Sequence, residues 1–102
     1  MLGILPPPPS SFELKQNYPN PFNPTTIIGY QIEEQGFVSL IVFDALGNEL
    51  IKLVDEHKIP GYYEVDFDSI NLLKNKDLSS GIYFYRLSVN GNYDTKSMVL
   101  IK

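Results

Sequence analysis

Alternation at every second residue governs this chain. In YYEVDFD, residues 62–68, Tyr63, Val65 and Phe67 fall on one side of an extended backbone, while Tyr62, Glu64, Asp66 and Asp68 fall on the other. That period describes a half-buried strand with an acidic outer face and leaves no amphipathic helix. The signature recurs along the chain. Ile28, Tyr30 and Ile32 share one face of TTIIGYQI, and FVSLIVF (37–43) is apolar on both faces, as a central strand is. Turn signals punctuate these runs. DALGN (44–48) predicts a type I turn with Gly47 in the left-handed region, followed by a return strand ELIKLV (49–54). Pro60-Gly61 marks the next turn. Asn90-Gly91, a strong hairpin signal, joins GIYFYRLSV (81–89) to YDTKSMVLI (93–101). Only residues 69–80, SINLLKNKDLSS, read as irregular, with a short helical turn at most.

Counting these runs predicts an all-β fold, an immunoglobulin-like β-sandwich of about seven antiparallel strands. The length of 102 residues and a 43% hydrophobic content suffice for one core, and the absence of cysteine excludes a disulfide framework and thiolate metal sites. Residues 1–12 read as a linker, with Pro6 to Pro9 as a stiff polyproline spacer, and residues 13–102 as the domain. A linker before a lone domain suggests the C-terminal piece of something larger. The start lacks the basic n-region of a secretory signal, and no apolar run nears the roughly 20 residues that cross a bilayer.

Chemistry is scarce. The net charge of −4 argues against nucleic acid, which requires a basic face. The single histidine, His57, lies in DEHKIPG, read as a charged loop, and no Ser-His-Asp order is completed around it. Asp66 and Asp68 share a face near Glu64, which raises calcium; alternation with apolar residues makes a solvated face the better explanation. The glycines are scattered rather than clustered around a phosphate site. Among the aromatics, Tyr62, Tyr83 and Tyr85 would suit a carbohydrate-stacking platform, although core packing explains the YFY run (83–85) better. No catalytic residue, cofactor, metal or small-molecule substrate is expected.

QNYPNPFNP (16–24) precedes the first confident strand. Pro19, Pro21 and Pro24 remove backbone donors and favour extended neighbours, while Asn17, Asn20 and Asn23 can bond local backbone groups. The stretch is expected to cross one end of the sandwich without offering a strand edge, with Tyr18 and Phe22 plugging that end.

From Leu14 to Lys102 the chain resembles the C-terminal sorting domain of the type IX secretion system of Bacteroidota. The resemblance runs through LKQNYPNPFNPTTIIGYQI (14–32), VSLIVFDALGNELIKLVD (38–55), SSGIYFYRLSVNG (79–91) and TKSMVLIK (95–102), in the family's order and ending where the family ends. Three positions depart from it: Phe67 stands where the family often has Trp, Ser97 where a second Lys is common, and Glu33-Glu34 where Pro is frequent. The resemblance implies a non-catalytic export label at the end of a cargo protein. The cargo would reach the periplasm by its own signal and then the outer-membrane surface or the medium. Implied partners are the translocon and a sortase-like peptidase that removes the domain, cutting near Pro6 to Phe12, and attaches the cargo to a surface lipopolysaccharide. The alternatives are a structural immunoglobulin-like module related to the flagellar hook-capping domain, or a carbohydrate-binding module.

The last strand, SMVLIK (97–102), is apolar on both faces, Met98 and Leu100 on one and Val99 and Ile101 on the other, with Lys96 and Lys102 at its ends. On residue physics alone it reads as a core strand with gatekeeper lysines. With the resemblance, Lys96, Met98, Val99, Leu100, Ile101 and Lys102, together with Gly81 and Tyr83 at the turn entering SSGIYFY, form the expected translocon-recognition set. An uncovered last strand would also permit partner strand addition or a weak homodimer.

Overall fold

A computed structural model describes residues 12–70 and 78–102, and its regular elements are all strands. They are β1 (Phe12–Leu14), β2 (Thr25–Ile32), β3 (Gly36–Phe43), β4 (Glu49–Lys58), β5 (Gly61–Asp68), β6 (Gly81–Val89) and β7 (Asn92–Leu100). Every pairing is antiparallel, in a three-stranded sheet β1-β2-β5 and a four-stranded sheet β4-β3-β6-β7. This is the all-β sandwich that the alternation predicts.

The layers face each other through every second residue. Ile28, Tyr30 and Ile32 of β2 are buried, as are Val38, Leu40 and Val42 of β3, Tyr83, Tyr85, Leu87 and Val89 of β6, and Met98 and Leu100 of β7. Burial of each such side chain contributes about 1.5–3 kcal/mol, and the alternation is what gathers them on the inner faces. On β5, Tyr63, Val65 and Phe67 turn inward and Tyr62, Glu64 and Asp66 outward, as read from the sequence. β3 is central, but its outer face is only part-covered: Ile41 and Phe43 are half-buried and Phe37 is exposed. Arg86 lies across that face, over the Phe43 ring at 5.4 Å and the Tyr93 ring at 4.7 Å.

The turns follow their chemistry. Asp44 Oδ1 accepts hydrogen bonds from the amides of Leu46 (3.0 Å) and Asn48 (2.8 Å), and Gly47 sits at φ +89°. The side-chain bond from Asn48, with its amide and those of Leu46 and Gly47, holds the Asp44 carboxyl below its ordinary value. Asn90 and Gly91 both take positive φ, 50° and 88°, the pair a two-residue type I′ hairpin demands.

His57 is not in a loop. β4 extends to Lys58, and cross-strand pairing of Phe37 with His57 and Gly36 with Lys58 carries the polar segment DEHK along the sheet. The imidazole packs edge-on against Phe37, ring centroids 5.3 Å apart. Within the segment read as irregular, residues 71–77 lie outside those described, as does the polyproline linker; the flanking Ser69 and Leu78 are buried.

Candidate functional site

With three donors removed by proline, the remaining amides of the entrance decide its path, and they lead it onto strand edges. Lys15 N–H donates to Gly29 C=O, and Tyr18 and Ile27 exchange both backbone bonds, each at 2.9 Å. The chain then crosses to the other sheet. Phe22 N–H donates to Val99 C=O at 2.9 Å, and Ile101 N–H to Phe22 C=O at 3.0 Å. Asn20 Oδ1 accepts from Val99 N–H at 2.9 Å, and Gln16 Nε2 donates to Ser97 C=O at 2.7 Å. One segment therefore stitches the outer edge of β2 to the outer edge of β7. The prolines spare Tyr18 and Phe22, whose backbones bond on opposite sheets. This corrects the expectation of an uncovered last strand, since from Ser97 to Ile101 that edge is occupied.

Phe22 fills the end as expected. It is buried and meets Phe67 edge-on, centroids 5.9 Å apart. Tyr18 does not plug anything; it is 79% exposed, because its bridge to the exposed Ile27 turns both side chains to the outer face. The buried polar residues beside Phe22 carry no strong sequence signal, yet they lock the entrance. Asn17 N–H donates to the Tyr85 hydroxyl, which donates to Lys15 C=O, both at 2.8 Å. Asn17 Nδ2 donates to Thr26 Oγ1 (3.0 Å), and Thr26 Oγ1 donates to Pro19 C=O (2.9 Å). Burial pushes the Tyr85 phenol up to about 12.

The fold brings the expected recognition residues together. Gly81 pairs with Leu100 and Tyr83 with Met98, and Lys102 N–H donates to Ser80 Oγ at 2.9 Å. They are not equally presented. Tyr83, Met98 and Leu100 point into the core, and the Tyr83 hydroxyl donates to Ser79 C=O at 2.6 Å. Gly81, Lys96 and Val99 are half-buried, and Ile101 and Lys102 are exposed. Ile82 and the turn-tip Leu46, both exposed, continue that apolar end beside a shallow groove of about 270 Å³ lined by residues 44–46 and 79–83.

Catalytic and ligand chemistry finds little here. Among the described residues, no group of three or more His, Asp or Glu could hold a metal ion. Tyr83 and Tyr85 are core, which leaves only Tyr62 of the three aromatics considered for sugar stacking; its hydroxyl donates to Glu64 at 3.2 Å. No helix among those residues is long and apolar enough to cross a membrane.

The stretch that these contacts tie together, residues 16–102, is matched by the family model of the secretion system C-terminal sorting domain. The chain belongs to that family. It is thereby a sorting signal of type IX secretion, a class of domain that is normally non-catalytic and that travels on proteins exported across the outer membrane. No curated protein matches the chain. Its fold is similar to part of the crystal structure of dimeric latent PorU from Porphyromonas gingivalis, with a TM-score of 0.67 and 18% identity. The likeness covers 88% of this chain and 9% of that one, so it concerns the fold of one small part of PorU. In this sorting domain the entrance motif is thus part of the packed unit and β7 is not a loose tail.

Proposed function

We propose that the domain is an address label whose cargo-distal end is read by the outer-membrane translocon. The observation that carries this reading is polarity. The tether joins at Phe12, opposite Ile32 and beside the β2–β3 turn, while Gly81, Val99, Ile101 and Lys102 gather at the opposite end with Leu46 and Ile82. A cargo fixed at one end leaves the other free to dock. In the folded domain Tyr83, Met98 and Leu100 serve recognition by holding β6 and β7 in register, and the contact surface is Gly81, Val99, Ile101 and Lys102, with Lys96 along the rim. Removal by a sortase-like peptidase with attachment of the cargo to a surface anchor fits the same geometry. A cut between Pro6 and Phe12 falls at or before the first paired residue and leaves the sandwich whole.

Deleting residues 95–102 should leave a fused cargo in the periplasm, but that deletion also removes two core residues. The decisive variant is therefore Ile101→Ser with Lys102→Glu, which alters only exposed side chains. It should keep its thermal midpoint within a few degrees and still strand the cargo in the periplasm. Surface delivery at the wild-type level would refute this reading.

A further inference from the structure

The two rims of the sandwich differ in what they offer an incoming strand. At one rim the entrance covers β7 from Ser97 to Ile101, and the Thr95 amide is taken by Asp94 Oδ1 at 2.9 Å. At the other rim stand β4 and β5. β4 is broken by two register shifts against β3 and carries mixed charges, Lys52, Asp55, Glu56 and Lys58, devices that discourage pairing. β5 runs in unbroken register against β2 from Gly61 to Asp68, with neither bulge nor proline, and among the described residues no strand pairs with its other edge.

The entrance also fixes which β5 groups face that edge. In an antiparallel ladder each residue sends its N–H and C=O to the same side. Ile27 gives both to Tyr18, and Gly29 gives its carbonyl to Lys15. Their partners across the ladder, Asp66 and Glu64, must therefore direct their own backbone groups away from β2, and by alternation so does Tyr62. The side chains of these three residues point to the outer face and are exposed.

We propose that the β5 edge from Tyr62 to Asp66 is a docking site for an extended segment of another protein that alternates basic and apolar residues. An added strand places every second side chain beside Glu64 and Asp66, where Lys or Arg meets opposite charge. Its intervening residues fall against Tyr63 and Val65, which the rim leaves half-buried. The chain's net charge of −4 favours the same partner. A second copy of this chain suits the edge poorly: two-fold antiparallel pairing centred on Glu64 or on Val65 sets Glu64 against Glu64 or Asp66. The proposal stands on edge geometry and does not depend on the sorting role.

The test is a titration of the ¹⁵N-labelled domain with an acetylated, amidated octapeptide of alternating Lys and Val. Saturable amide shifts are expected at Tyr62, Glu64 and Asp66, with cross-strand NOEs to the peptide. Glu64→Pro removes an outward donor without touching a bond to β2, so a dispersed spectrum should persist while binding weakens about tenfold. If that variant unfolds, a peptide N-methylated at alternate residues tests the same bonds on the wild-type domain and should not bind. Glu64→Gln with Asp66→Asn should weaken binding and flatten its salt dependence. No saturable shift, shifts centred on β7 or scattered over acidic surface, or undiminished binding of the N-methylated peptide or of folded Glu64→Pro would each overturn the proposal.

Discussion

Phe22→Ala is the sharpest test of the entrance as a structural latch. The ring is 2% exposed and closes the end of the core against Phe67, so truncation removes a nearly complete burial and leaves a cavity between two sheets. Such truncations cost about 3–5 kcal/mol. The Phe22 backbone bonds to Val99 and Ile101 do not involve the ring, so some of the edge pairing can survive and the lower part of that range is expected, about 3–4 kcal/mol. Against a total of about 5–15 kcal/mol the variant should fold, with a midpoint lowered by about 12–32 °C at about 4–8 °C per kcal/mol. Urea unfolding followed by circular dichroism measures the loss, with Phe22→Leu expected to recover about half. Tyr18→Ala is the internal control: the side chain is 79% exposed, and its removal should stay within about 0.5 kcal/mol. A Phe22→Ala loss below about 1 kcal/mol at unchanged m-value, or an equal loss in Tyr18→Ala, would refute the reasoning.

Further outcomes follow from the polar groups of the core and the entrance. Tyr85→Phe leaves the Asn17 amide and Lys15 carbonyl without their hydroxyl and should cost about 1–3 kcal/mol in urea unfolding. Because the folded phenol titrates at about 12, above its ordinary value of 10.0, the unfolded chain ionises first on the alkaline side. Stability from this group should be complete below pH 10 and fall as pH rises towards 12, and the fall should be shallower in Tyr85→Phe. The Tyr30 hydroxyl is buried and has no hydrogen-bond partner among the described residues, so Tyr30→Phe should be neutral or stabilising by about 1 kcal/mol, and a loss above that would contradict the assignment. Asn20→Ala should speed hydrogen exchange at Val99 about five- to tenfold and leave Ile101, held by the Phe22 carbonyl, unaltered.

What the sequence made legible was whatever a local rule decides. Ile28, Tyr30 and Ile32 declare a buried face by spacing alone, and Asn90-Gly91 declares its turn because positive φ at two successive positions is available to few residue pairs. His57 was misread because DEHK has the composition of a loop, and only the register against β3 overrides it. The path of the entrance was hidden for a related reason. Prolines argue locally against strand pairing, yet the amides of Lys15 and Tyr18 precede them and that of Phe22 sits between two of them, and their partners, Gly29, Ile27 and Val99, are fixed by tertiary topology. That the expected recognition residues fall on neighbouring β6 and β7 follows from the Asn90-Gly91 hairpin, but their split into core and surface needed the sheet: Tyr83, Met98 and Leu100 share the inner face.

That split bears on how such a label can be read. Peeling β7 from the sandwich would expose Met98 and Leu100, about 1.5–3 kcal/mol each, and would break the ladder to β6 from Gly81 to Val89. It would also cancel the bonds from Gln16, Asn20 and Phe22, the contacts that hold the entrance segment to β7. With the ladder included, the sum reaches most of the stability of a domain this size, so peeling is close to global unfolding rather than a cheap local opening. A partner that captured β7 as a free strand would have to supply that energy at the encounter. One that docks on Val99, Ile101 and Lys102 in the folded state has only surface desolvation to overcome. The two routes separate on a single observation: stabilising the latch should suppress recognition by peeling and leave recognition of the folded end untouched.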